Sequence, residues 1–296
     1  MPEAEPPPVM VLSSNRPLEL AELLASLARQ DGATLDRRRV FLVQDGGHDP
    51  AGASPHWSDA VLLENLDIFR RLVPHGIPLP SYLHLGPVLT RDRAERLAFA
   101  DLRTEAAVFV GDDVIPGRCY LRTLDQLLAL ALADPRICQV SADGDPRADP
   151  GDPSRLIALG RAVGRGLTRR GWLAQRPYLD AYLNLLRGRA YGQRDRAGIR
   201  ALFQAWGVDP SDTTFEAALA HACVLTGTVR LGTQARFART LAEADALGWD
   251  GGGGFGAPVV VEADACRAVP PTDAELAALR FASAAASSHF AGMPPG

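Results

Sequence analysis

The chain has 296 residues, 47% of them apolar, which is enough for the core of one large α/β domain or two smaller ones. Its 35 acidic and 31 basic residues are interspersed, every basic one is arginine, and the net charge of −4 leaves no basic face for nucleic acid. Four cysteines (Cys119, Cys138, Cys223, Cys266) form neither a CxxC pair nor a Cys/His zinc spacing, so neither a disulfide framework nor a zinc module is expected. A reducing compartment, and hence a cytoplasmic location, is the expectation. The acidic, proline-rich residues 1–8 read as a flexible tail unlike a signal peptide, and no apolar run approaches the roughly 20 residues of a membrane span.

In chain order, Val9 to Ser13 predicts a buried strand, and Asn15-Arg16-Pro17 opens a helix with proline in its first turn. Leu20, Leu23, Leu24 and Leu27 form that helix's apolar stripe. Val40 to Val43 predicts a second strand, ending in Gln44-Asp45-Gly46-Gly47. Ser58 to Leu72 follows as a helix, with Leu62, Leu66 and Phe69 on one face. Tyr82 to Leu85 predicts a third strand and Thr90 to Leu102 a helix. Ala106 to Val110 predicts a fourth strand, closed by Gly111-Asp112-Asp113; Tyr120 to Ala133 is helical and Ile137 to Ser141 a fifth strand. Beyond residue 142 the pattern changes. Ala142 to Ser154 reads as a loop rich in Asp, Pro and Gly, and Gly164 to Gly171 as a basic, glycine-containing segment. Tyr178 to Leu186, Ala197 to Trp206 and Asp212 to Leu225 read as helices, the last capped by Ser211 or Asp212. Gly251 to Gly254 reads as a turn, Pro258 to Glu262 as a strand, and the chain from 282 as a disordered tail.

Apolar strands without alternation, interleaved with helices, predict a Rossmann-like, mostly parallel sheet with helices on both faces. Ligands bind such sheets beyond the carboxyl ends of the strands, which singles out Asn15-Arg16, Gln44-Asp45, Asp112-Asp113 and Asp143/Asp145. Adjacent acids at Asp112-Asp113 repel one another, and a hard divalent cation that also grips a diphosphate would relieve the repulsion. The same pair could simply favour the N-terminus of the next helix. Arg16 could meet a phosphate or be a surface arginine; Asp45 could accept from a base or ribose or be the turn residue before Gly46.

Four segments occur in order: VMVLSSNRPLEL, VFLVQDGGHD, VFVGDDVIPGRCYLRTL and ICQVSADGD. Over about residues 9–145 they resemble the donor-binding half of GT-A glycosyltransferases of the N-acetylglucosaminyltransferase I type. That family carries Cys-Asn-Arg-Pro, Ser-Gln-Asp-Cys-Gly-His-Glu, Glu-Asp-Asp and Val-Ser-Ala at these places. The resemblance implies a GT-A fold, a uridine-diphosphate sugar donor and Mn2+ or Mg2+ as metal. It implies Asp113 as metal ligand and Ser13, Asn15, Arg16, Asp45, Gly46, Gly111 and Asp112 around the donor. Arg16 falls near the phosphates and Asp45 near the uracil or ribose, while His48 matches the family's histidine. Gly111 departs from the pattern, which has glutamate there, so N-acetylglucosamine is not implied as the donor sugar.

Residues 146–281 are then the acceptor-side half, for a glycan, a lipid-linked glycan or a small metabolite. Asp212 to Ala217 looks like a segment of related bacterial transferases carrying Thr-Ser-Gln-Asp. It suggests Glu216 as the base of an inverting transfer, followed by Asp212 and Asp145. Two alternatives remain. A nucleotidyltransferase would show a glycine-rich, basic phosphate loop where Ser13-Ser14-Asn15-Arg16-Pro17 stands. A non-catalytic nucleotide-sugar binder on the same fold is kept open by Gly111.

Overall fold

A computed structural model describes residues 5–32, 36–49, 57–142, 144, 155–159, 164–189, 193–240 and 269–287. Strand β1 (Val9–Ser13) lies between β2 (Val40–Gln44) and β4 (Ala106–Gly111), parallel to both, and β3 (Ile77–Pro80) extends this parallel half outward. Strand β8 (Gly164–Thr168) runs antiparallel between β4 and β6 (Ile137–Ser141). Strand β9 (Val229–Thr233) is parallel to β6, and β7 (Leu156–Ala158) closes the far edge antiparallel. The order across the eight strands is β3-β2-β1-β4-β8-β6-β9-β7. A separate antiparallel pair joins β5 (Val114–Pro116) to β10 (Ala238–Thr240).

The central strands lack polar alternation because each face of the sheet meets its own helical layer. Val9, Val11, Val40, Leu42, Val108 and Val110 pack with α1 (Pro17–Leu27), α2 (Asp59–Leu72) and α4 (Tyr120–Ala133). The alternate residues Met10, Phe41, Val43, Ala107, Phe109 and Leu167 pack with Ala94, Ala98, Phe99 and Trp172. These last come from α3 (Gly86–Arg96), from the π-helical turn that continues it, and from α5 (Arg169–Leu186). A third core joins α5 to α6 (Arg196–Ala205) and α7 (Phe215–Leu225) through Tyr182, Leu183, Ile199, Phe203 and Phe215. The predicted α/β fold, with helices on both faces of a Rossmann-like sheet, is the one observed.

Several expectations give way. The third strand is Ile77–Pro80, not Tyr82 to Leu85. Its two prolines are tolerated because it is an edge strand with one partner. Leu83 makes an isolated bridge to His48, and Tyr82 is 71% exposed. The basic segment at Gly164 is a fully buried strand. Gly166 turns toward α4, where a Cβ would come 2.7 Å from Leu128 Cδ2, and Arg165 turns the other way into the core. Helix α7 begins at Phe215 with Thr214 as its cap, whose Oγ1 accepts from Ala217 N at 3.2 Å, in place of Ser211 or Asp212. Asp212 instead folds the preceding turn by accepting from Thr214 N. The last helix, α8 (Asp273–Ser287), runs past residue 282, where a disordered tail was expected. Asp143, Asp145, the Gly251 turn and the Pro258 strand lie outside the described residues.

A charged side chain survives inside the sheet only if it is paired. Arg165 is paired with Glu95 of α3, and its guanidinium lies 5.4 Å from the centre of the Phe109 ring. Burial still pushes the guanidinium down to about 10, with Arg91 acting in the same direction and Glu95 against it. Glu95→Leu alone is therefore expected to lower the unfolding free energy by about 3–5 kcal/mol, since it strands a buried cation. Glu95→Leu combined with Arg165→Leu should recover most of that loss. Urea denaturation of the two variants is the check, and equal losses would count against the pairing as the cause.

Candidate functional site

The registers Ser13↔Gln44 and Leu12↔Gly111 bring the carboxyl ends of β1, β2 and β4 side by side. Backbone bonds continue the ladder one step past the strands: Asp45 N donates to Ser13 O at 2.8 Å and Asp112 N to Leu12 O at 2.9 Å. Ser13-Ser14, Gln44-Asp45 and Gly111-Asp112-Asp113 therefore share one rim. Asn15 and Arg16 lead out of it as exposed residues at the start of α1.

The two adjacent aspartates differ. Asp112 is buried and accepts from Ser14 N at 2.8 Å. Burial pushes its carboxyl up to about 6, against the Ser14 hydrogen bond and the charge of Arg16, while Asp113 adds to the rise. The Asp113 side chain is 40% exposed, with Oδ2 3.9 Å from Arg16 Nη1. Gly111 matters to this arrangement, because a Cβ there would come 2.6 Å from Asp113 Oδ1. The space that a side chain at 111 would take is used by the carboxylate of Asp113.

Asn65 of α2 belongs to the rim and was not singled out from the sequence. It is fully buried, and its Nδ2 donates to Ser14 O at 2.7 Å and to Gln44 Oε1 at 3.1 Å. Gln44 Nε2 in turn donates to Ser14 O and to Asp45 O. One amide thus fixes the ends of two strands. The signal was an asparagine three residues after Leu62 and four before Phe69, on the apolar stripe of an amphipathic helix.

Asp45 is buried and takes four donors. Gly46 N at 3.0 Å and Leu85 N at 2.7 Å reach Oδ1, and Gly86 N at 3.0 Å and His84 Nδ1 at 2.9 Å reach Oδ2. Its carboxylate therefore holds the Ser81–Gly86 loop and the entry of α3. Gly46 serves the same closure: a Cβ there would lie 2.3 Å from the backbone of Tyr82. His48 stacks on Tyr82 with ring centroids 4.0 Å apart, and Trp57 meets His84 edge-on at 4.5 Å. The result is an aromatic shelf beside the rim, with Tyr82 exposed.

Of the three carboxylates named as bases, Glu216 lies in a charged cluster. Its Oε1 accepts from Arg91 Nη1 of α3 and its Oε2 from Arg230 Nη1 of β9, each at 2.8 Å. Burial works to raise its carboxyl, but Arg91 and Arg230, with Arg165 behind them, hold it at about 2. Asp212 is exposed on the loop ahead of α7, and Asp145 lies outside the described residues. No group of three or more His, Cys, Asp or Glu side chains among the described residues is arranged to hold a metal. The rim does offer two hard carboxylates, one of them open to solvent. That fits a cation of the Mg2+ type, which binds through one or two carboxylates and completes its shell with water and substrate phosphates.

The clamp on Glu216 makes a pH prediction. Its folded-state value lies below its ordinary value of 4.5, so its stabilising contribution is complete above about pH 4.5 and is lost as pH falls toward 2. Wild type should exceed Glu216→Gln by on the order of 2–3 kcal/mol at pH 7. The gap should narrow below pH 4.5, as read from urea denaturation at pH 7, 4.5 and 3.5. A gap that does not change with pH would refute the ionic clamp.

No protein-family model and no curated protein matches the chain. Solved structures similar to it include TarS of S. aureus, residues 1–349, at 14% identity and a TM-score of 0.45, covering 81% of this chain and 62% of that one. The chain thus spans less than two thirds of that TarS chain. A mannose-1-phosphate geranyltransferase from Thermus thermophilus aligns at 12% identity and a TM-score of 0.44, covering 83% of this chain and 80% of that one. The mannosyltransferase PcManGT from Pyrobaculum calidifontis, in complex with GDP-Man and Mn2+, aligns at 16% identity and a TM-score of 0.37, covering 99% of this chain and 78% of that one. None of the three is named for the N-acetylglucosaminyltransferase I type. At these identities and scores the likenesses carry no weight in assigning a function. Among the described residues no helix is long and apolar enough to cross a membrane.

Proposed function

We propose that the chain is a metal-dependent glycosyltransferase that moves a sugar from a nucleotide-diphosphate donor to an acceptor hydroxyl. The observation that carries this reading is the unequal aspartate pair at the end of β4, one carboxylate buried against Ser14 and the other open beside Arg16. Asp113 would hold the cation, with Asp112 behind it. A bound Mn2+ or Mg2+ supplies positive charge against the leaving diphosphate as the glycosidic bond breaks. Arg16, 3.9 Å from Asp113 and with its side chain 47% exposed, is a cation within reach of a phosphate oxygen bound at the rim.

The finer reading follows the sequence resemblance. The donor is a uridine-diphosphate hexose or N-acetylhexosamine, with its base toward the Tyr82 shelf and its diphosphate along Ser13, Asn15 and Arg16. Asp45 and Gly46 act on the donor through the loop they brace, since the Asp45 oxygens are taken up by four donors. The transfer is inverting. Glu216 is the first candidate for the base and Asp212 the second. In its present clamp Glu216 accepts a proton poorly, because a base works best with a pKa near the working pH. Arg91 would have to turn away before Glu216 could serve. Residues 9–145 are the donor half and 146–281 shape the acceptor side, for a glycan, a lipid-linked glycan or a small metabolite. The same arginine clamp favours one second reading, a nucleotide-sugar binder without transferase activity.

A thermal-shift panel of UDP, UDP-sugars and GDP-mannose, with Mn2+ or with EDTA, tests the donor site. The right donor at about 100 times its Kd should raise Tm by roughly 5 °C with metal and markedly less without it. Asp113→Ala should keep the unliganded Tm and lose the metal-dependent part of the shift. Absence of any shift across the panel would remove the donor site, and a retained metal dependence in Asp113→Ala would remove the metal assignment. Slow release of free nucleoside diphosphate by wild type without acceptor separates an enzyme from a binder.

A further inference from the structure

Away from the rim, two thiols face each other in the interior. Cys138 of β6 and Cys223 of α7 have their Sγ atoms 3.6 Å apart, and both residues are buried. Gln175 of α5 brings its Nε2 to 3.1 Å from each sulfur, and Cys138 Sγ lies 3.3 Å from Val229 O. Cys119, also buried, sits at the entry of α4. The pair joins elements 85 residues apart in the chain. We propose that Cys138 and Cys223 are an oxidisable dithiol that closes into a reversible disulfide and staples α7 to the sheet.

The two sulfurs are not equivalent. Their mutual hydrogen bond holds the Cys138 thiol below the usual range against burial, and the same bond together with burial pushes Cys223 up. The lowered thiol, Cys138, is therefore the one assigned to attack first. With a peroxide as oxidant, the Cys138 sulfur attacks one oxygen, the O–O bond breaks, and Cys138 becomes a sulfenic acid as the other oxygen leaves as water. The Cys223 sulfur then attacks the sulfenic sulfur; the S–S bond forms, the S–O bond breaks, and the hydroxyl leaves as a second water with the Cys223 proton. Two thiols lose one electron each and the peroxide gains both. A disulfide needs the sulfurs at about 2.05 Å, so the two Sγ atoms must approach by roughly 1.5 Å from their present 3.6 Å. Cys223 lies about two turns beyond Glu216 on α7, so the staple fixes the helix that carries that carboxylate.

The test uses the full chain, reduced, desalted and exposed to hydrogen peroxide under native conditions, then quenched with catalase, denatured and alkylated with N-ethylmaleimide. Two of the four thiols should resist alkylation, and the peptide map should show Cys138 joined to Cys223. Tm should rise by roughly 5 °C or more and return to its starting value with dithiothreitol. Cys119→Ser should keep the cross-link. Cys223→Ala should lose it and leave a Cys138 sulfenic acid that dimedone captures. If Cys223→Ala fails to fold, the wild-type peptide map decides alone. Alkylation of all four thiols, bonding of either cysteine to Cys119 or Cys266, or over-oxidation without a cross-link would overturn the proposal.

Discussion

An arginine in the middle of a β-sheet must be answered by a carboxylate, and much of this molecule follows from how that demand is met. Strand β8 is the one that joins the parallel half of the sheet to β6, β9 and β7, and it carries Arg165 into the core. Glu95 answers it from α3. The same helix contributes Arg91, which reaches Glu216 on α7, and Glu216 also holds Arg230 of β9. Alternating charges therefore tie α3, β8, α7 and β9 together across one face of the sheet. Such a chain of pairs adds little net stability over apolar packing, but it penalises any arrangement that separates the partners. That penalty selects one packing of α7 against α3, and so one position for the carboxylate at the head of α7.

At the rim the decisive effect is unequal burial of neighbours. Asp112 and Asp113 are chemically identical and one residue apart, yet one is enclosed with a backbone donor and the other faces water. The inner carboxylate costs free energy to ionise at neutral pH, which a nearby cation would relieve. The outer one remains free to meet a ligand. Asn65 and Gln44 supply the support beneath, so the strand ends that carry these groups are held by side-chain amides as well as by the ladder itself.

Much of the parallel half was legible because its code is simple: apolar runs bounded by turn residues for strands, and apolar residues at helical spacing for α1 and α2. The edge strand was not, since Ile77-Pro78-Leu79-Pro80 reads as a breaker and only its place at the sheet's margin makes proline acceptable. Strand β8 was missed for a different reason. Glycine and arginine alternate there because one face must admit α4 and the other must reach Glu95, and neither partner is visible from the local sequence. The rim residues Asp45, Asp112 and Asp113 were legible as residues that follow strands, and Ser13 only through the family resemblance. The division of labour among them was not, because it depends on contacts between segments dozens of residues apart. Asp45 is the clearest case: its turn position was evident, and its four donors were not.

That saturated carboxylate bears on how the aromatic shelf would meet a guest. A loop tethered through its amides, an imidazole and a glycine packed against its backbone has already given up its freedom when the chain folds. A flat ring arriving at Tyr82 would find a surface that needs no further ordering, so its affinity would reflect contact and desolvation rather than rearrangement. Loosening the tether, by contrast, would weaken such a guest without touching any group in contact with it.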